Sequence, residues 1–163
     1  PYGTNYNFTG ASPDDNTYYF INCADATANR FRVESDGDCQ NHDNSYGSIS
    51  DVKLKTDIVD VRDYWDDWKQ IRFRKFRMLD DVEAYGADCD MRFGVVAQEL
   101  ESVFPKVVKD AKDMELIDGE WVDQGTVSKS VKYSILSQLG LKVLQEAQTR
   151  IEALEAQVAA LQN

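Results

Sequence analysis

The alternation of apolar and polar positions changes character near residue 50. Upstream, two short strand-like runs, Tyr18 to Cys23 and Arg30 to Glu34, stand in a background of Asn, Asp, Gly, Ser and Tyr. Residues 35–47, SDGDCQNHDNSYG, are almost pure turn chemistry and read as an exposed connector leading into Ser50. Two such strands make a poor core for a monomer, and the change of texture near residue 50 suggests that two unlike segments share the chain.

Downstream, Ile58, Val61, Trp65 and Trp68 recur at helical spacing behind Thr56 as a candidate N-cap, predicting an amphipathic helix from about Asp57 to Gln70. The run IRFRKFRML, Ile71 to Leu79, begins by alternating apolar and basic residues and predicts a strand with one covered face and one charged face, solvated or ion-paired, in preference to a nucleic-acid surface. DDVEAYGADCD, Asp80 to Asp90, is turn-rich. MRFGVVAQ then reads as a strand, and AQELESVF as a short helix stopped by Pro105. In MELIDGEWVD, Asp118-Gly119 between apolar runs signals a tight hairpin. From about Val131 the pattern is helical to the end. Ile151, Leu154, Val158 and Leu161 form the seam of a coiled coil, while Leu136, Leu139 and Val143 continue an apolar stripe in another phase, with Gly140 inside it.

With 42% hydrophobic residues among 163, one ordinary core is affordable. The net charge of -11 argues against nucleic acid or an anionic membrane as the main partner, because a phosphate-binding face needs surplus Lys and Arg. No run approaches the roughly 20 apolar residues of a bilayer span. The start, PYGTNYNFTG, lacks both the basic region and the apolar core of a signal peptide, and the missing initiator Met predicts a fragment. Cys23, Cys39 and Cys89 are odd in number and lack metal-ligand spacing; they read as reduced thiols of a protein made in the cytoplasm, and no metal or other cofactor is expected.

His42 is the sole histidine, so a Ser-His-Asp triad would have to use it from within a turn-rich stretch. The many carboxylates show no calcium-loop spacing. What remains is SDVKLKTDI, Ser50 to Ile58, with a Ser and a Lys five residues apart. A serine is a weak nucleophile, and a lysine can serve as its base where the neutral amine is populated. Taken alone the spacing is a weak signal, and a helix cap or turn serine beside a surface lysine explains it better, since such caps are common.

SDVKLKTDI resembles the SDxRxK signature that opens the C-terminal intramolecular chaperone domain of phage endosialidases, tailspikes and long tail fibres. FGVVAQELESVFPKVV, Phe93 to Val108, is similar to that family's GviAQEvexxfPexV block, and the long terminal helix ending in heptads matches its close. The arginine common in the middle of the signature is absent, Val52 and Lys53 standing there. The resemblance covers about residues 46–163.

It implies an α+β chaperone domain over residues 50–163, with small sheets and helices and a trimeric coiled-coil tail at about 134–162. Residues 1–49 would be the end of a β-structured fibre or tailspike, which the domain registers as a homotrimer and then leaves by cutting Ile49–Ser50. Ser50 is implied as nucleophile and Lys55 as base, while Asp51 belongs to the signature without an assigned chemical step. The mature part would sit in the virion tail and the chaperone part would be released in the bacterial cytoplasm. The upstream fibre is then the folding client. Tyr2, Tyr6, Tyr18, Tyr19 and Phe20 are candidates for packing between chains or for touching a host receptor. The alternative, from a different class, is a non-enzymatic trimerisation and receptor-binding tip in which SDVKLK merely begins a helix.

Overall fold

The computed structural model describes residues 4, 6–9, 14 and 16–162. It divides into two compact units, Pro1–Val59 and Asp60–Asn163. That division follows packing and lies ten residues beyond the bond expected to be cut.

In the first unit, β1 (Tyr19–Ala24), β2 (Asn29–Glu34) and β3 (Cys39–Asn41) form an antiparallel sheet in that order. Asp25 shapes the β1–β2 turn: its carboxylate accepts from the hydroxyl of Thr27 (2.6 Å), from the backbone N–H of Thr27 (2.7 Å) and Ala28 (2.9 Å), and from Arg30 Nε (2.7 Å). These donors, the Thr27 hydroxyl foremost, hold its carboxyl well below the usual carboxylate range. Strand β3 corrects the reading of residues 35–47 as connector throughout. The backbone turns back through Glu34 N–H to Asp38 O (2.8 Å) and Gly37 N–H to Glu34 O (3.1 Å), and Cys39 then pairs with Val33. An open strand edge recruits backbone whatever its side chains are, so a polar CQN can be a strand. Phe8 packs on Phe20 and Tyr18, with ring centroids 4.9 and 6.4 Å away. Tyr2 lies outside the described residues.

The second unit is α+β. α1 (Trp65–Trp68) precedes β4 (Phe73–Phe76), α2 (Leu79–Tyr85), β5 (Arg92–Val95) and α3 (Ala97–Glu101). A 3-10 turn at Pro105–Val107 leads into β6 (Val108–Ile117), β7 (Glu120–Val131) and α4 (Tyr133–Leu161). β4 pairs with β5 and β6 with β7, both antiparallel. Asp118 (φ 52°) and Gly119 (φ 84°) make the predicted two-residue turn, both in the left-handed region that such a hairpin requires. Val95, Leu100, Phe104, Val107, Val108 and Leu136 form the core, with Tyr64, Trp68, Ile71 and Leu139 packed against it.

The helix expected over Asp57 to Gln70 is absent but for α1. Asp57 sits at φ 54°, in the left-handed region, and the hydroxyl of Thr56 donates to the Asp57 carboxylate (3.2 Å) instead of capping a helix. Ile58 and Val61 are exposed, so the expected apolar stripe faces no core there. The segment 62–68 is instead a strap along α4. Tyr64 N–H donates to both oxygens of Glu146 (3.0 and 3.2 Å), Arg150 lies 4.5 Å over the Trp65 ring, and Trp68 rests on Gly140. A Cβ at Gly140 would come within 3.0 Å of the Trp68 ring, which accounts for a glycine inside a helix.

A second correction falls in the turn-rich DDVEAYGADCD, whose first half is α2. Asp80 and Asp81 lie in its first turn, where carboxylates complement the exposed N–H groups, and Gly86 closes it by donating to Val82 O (2.9 Å). Along β4 the charged face is ion-paired, while the expected apolar cover is missing at Phe73, which is exposed. Arg74 forks onto Glu99 (2.5 and 3.0 Å), with Arg72 3.4 Å from the same carboxylate.

Helix α4 is about 43 Å long at 1.5 Å per residue. Leu136, Val143 and Glu146 are buried, and Leu139 is half-buried, so the upstream stripe lies on the body. Ile151, Leu154, Val158 and Leu161 are 52–88% exposed, and the change of stripe occurs near Glu146.

Two outcomes are expected. A Cβ at Gly94 would lie 2.8 Å from Tyr133 Oη and 3.3 Å from the Phe76 ring. Gly94→Val, although suited to a strand, should therefore cost about 1–3 kcal/mol in thermal unfolding. Tyr133→Phe should restore part of that loss in the double variant. The Arg74 guanidinium holds the Glu99 carboxyl below its ordinary value. A lowered carboxyl stabilises the fold above the ordinary carboxylate range and loses that contribution as pH falls through its lowered value. Thermal unfolding across pH 2–6 should show this acid loss in the wild type, and a smaller one in Glu99→Gln.

Candidate functional site

Residues 49–55 belong to the first unit, and their arrangement is local. A 3-10 turn covers Val52–Leu54. Leu54 N–H donates to Asp51 O and Lys55 N–H to Val52 O, both at 3.1 Å. Asp51 caps the turn: its Oδ1 accepts from Lys53 N–H (3.0 Å), and its other oxygen pairs with Lys53 Nζ (3.2 Å). Beyond the turn Lys55 returns to extended backbone (φ -123°, ψ 149°), and its Nζ donates to Ser50 Oγ at 2.5 Å. The two expected site residues are thus brought together, on the residue that follows Ile49.

The site is open. Ser50, Asp51 and Lys55 are exposed, and so are the apolar side chains around them: Ile49 at 85%, Val52 at 70% and Leu54 at 66%. For an amine to take a hydroxyl proton it must be neutral, a form that loss of water favours. The geometry of a Ser-Lys pair is present here, while the dry surroundings that would activate one are not supplied by these residues.

The other expected candidates fall elsewhere. His42 Nδ1 lies 2.7 Å from Asp43 Oδ1, and the imidazole holds the Asp43 carboxyl below its ordinary value. Cys23, Cys39 and Cys89 are free thiols. Among the described residues no group of three or more His, Cys, Asp and Glu is placed to hold a metal ion, and no helix is long and apolar enough to cross a membrane. Tyr6, Tyr18 and Tyr19 are exposed, Phe20 half-buried. Reading by residue type assigned Asp51 no step; its capping bond is visible only in the turn, although an Asp that precedes a tight turn is the usual signal for one.

Against protein families, residues 50–109 match Peptidase_S74, chaperone of endosialidase. No curated protein matches the chain. Among solved structures, a "novel intramolecular chaperon" is similar with a TM-score of 0.48 at 23% identity, over 62% of this chain and 99% of that one. The carboxy-terminal domain of the bacteriophage T5 L-shaped tail fiber with its intra-molecular chaperone domain has a TM-score of 0.38 at 14% identity, over 81% of this chain and 41% of that one. The matched stretch opens on Ser50, runs through the Ser50–Lys55 turn and the AQELE helix, and ends in β6; over residues 50–109 the chain is similar to the chaperone of endosialidase family.

Proposed function

We propose that this chain is the end of a phage tail fibre or tailspike and its intramolecular chaperone, which trimerises, registers the upstream β-structure and then cuts itself between Ile49 and Ser50. The observation that carries the reading is the 2.5 Å contact between Lys55 Nζ and Ser50 Oγ, on the residue that follows the scissile bond. Ser50 Oγ attacks the carbonyl carbon of Ile49, Lys55 takes the hydroxyl proton and returns it to the departing nitrogen, and the peptide becomes an ester. Water then opens the ester, leaving Ile49 with a carboxylate and Ser50 with a free amine. Proximity supplies much of the acceleration, because nucleophile and carbonyl are joined in one chain.

The exposed apolar surface supports assembly as the trigger. Ile49, Val52 and Leu54 frame the pair, and an assembled neighbour that covered them would strip water from Lys55. A trimer clamp also serves folding, since β-fibre strands pair non-locally and three tethered chains meet at high effective concentration. Residues 1–49 would be the client's last segment, with Tyr6, Tyr18 and Tyr19 free to pack between chains or to meet a host receptor.

Intact mass of the purified chain tests the cut. The wild type should give one piece ending at Ile49 and one starting at Ser50, while Ser50→Ala and Lys55→Ala stay whole; three whole, folded trimers would make the domain a non-enzymatic clamp and receptor-binding tip. Sedimentation tests the assembly. The wild type should run as a trimer, and Ile151→Asp combined with Val158→Asp as a monomer, because the charges fall on the exposed stripe of α4. A monomeric wild type would overturn the trimer.

A further inference from the structure

We propose that Asp51 is the positioning residue of the Ser50–Lys55 pair: its carboxylate holds the turn that carries Lys55 back onto Ser50. The inference rests on the self-cleavage reading above and deepens it, since that reading requires the pair but does not say what assembles it.

Five residues of extended chain would set the Cα atoms of Ser50 and Lys55 roughly 17 Å apart, well beyond the reach of a lysine side chain. Contact therefore depends on the 3-10 turn at Val52–Leu54. That turn has little of its own to keep it closed. It is three residues long, it contains a β-branched valine, and none of its residues is buried, so no packing holds it. Its two backbone bonds are Leu54 N–H to Asp51 O and Lys55 N–H to Val52 O. The bond that ties its start is the one from Lys53 N–H to Asp51 Oδ1 at 3.0 Å.

The second carboxylate oxygen of Asp51 does something different. Lys53 and Lys55 both stand within a few residues of Ser50, and either ammonium could compete for its hydroxyl. Asp51 pairs with Lys53 Nζ at 3.2 Å, and Lys55 is the lysine at Ser50 Oγ. An exposed ion pair of this kind is weak, so the capping bond carries most of the effect and the pairing of Lys53 a smaller part. Asp51 acts through the turn, and its role is one that a neutral acceptor of the same reach can fill.

The test measures the half-time of self-cleavage of the full chain by intact mass at one fixed protein concentration. Wild type is compared with Asp51→Ala, Asp51→Asn, Asp51→Ser and Ser50→Ala. Losing the cap should slow Asp51→Ala by about tenfold, whereas Asn and Ser, which keep an acceptor for Lys53 N–H, should stay within about threefold of wild type. Sedimentation and thermal unfolding of Asp51→Ala should match the wild type, because the residue is exposed; a variant that failed to assemble would show that Asp51 serves the fold and would overturn the inference. If Asp51→Ala cuts at the wild-type rate while Ser50→Ala stays whole, the inference is wrong and the cleavage reading stands. If Asn and Ser fall as far as Ala, the carboxylate charge matters in its own right and positioning by the cap is overturned. A wild-type chain that never cuts overturns the cleavage reading and this inference with it.

Discussion

Helix α4 runs farther than the body that supports it, and much of the second unit follows from that mismatch. Its first half lies on the core through Leu136, Leu139 and Val143. The next position on that stripe is Glu146, and there the covering turns polar: the carboxylate takes the Tyr64 N–H, and one turn on, Arg150 covers Trp65. A buried carboxylate has to be satisfied, and a backbone N–H from the strap does so while fastening segment 62–68 along the helix. Past this point the apolar positions shift phase to Ile151, Leu154, Val158 and Leu161, which are exposed. A helix surface of that kind is stable in water chiefly when other helices cover it.

Exposure recurs around Ser50, with different consequences. The Ser50–Lys55 contact beside the proposed cut is built from six consecutive residues, so it forms where the turn forms. Its surroundings are another matter: Ile49, Val52 and Leu54 face solvent, and a lysine beside them keeps its hydration. On the proposed reading, the parts of the reaction that depend on bond lengths and turn geometry are local, and the part that depends on dielectric is left to assembly. That separation would let a one-time cut wait for folding, because local contacts form early and burial between chains forms last.

The elements legible in the sequence were those with a strong short-range signal. Asp118-Gly119 needs two left-handed residues and has them, and the apolar spacing from Leu136 onward marks the terminal helix in two phases; α3 is shorter than expected, ending at Glu101 before Pro105 opens the next 3-10 turn. The errors share a cause. Ile58, Val61, Trp65 and Trp68 fit a helical period, yet Asp57 turns left-handed and the two tryptophans are claimed by α4, so tertiary contacts overrode the period. Cys39–Asn41 has no strand signal because its only reason to be a strand is the open edge of β2. Helix α2 is short, and its acidic start resembles a turn until Gly86 is seen to close it.

By itself the sequence determined the α+β character, the hairpin, the terminal helix and the nearness of Ser50 and Lys55 along the chain, because each depends on residues a few positions apart. The tertiary structure alone decided which apolar stripe of α4 is covered, that Glu146 and Trp68 hold the strap, that a polar tripeptide becomes a strand, and that Asp51 bonds the turn between the two site residues. Those outcomes depend on which surfaces and backbone groups meet across long stretches of chain or in one particular turn, and a pattern of apolar and polar letters carries no record of such meetings.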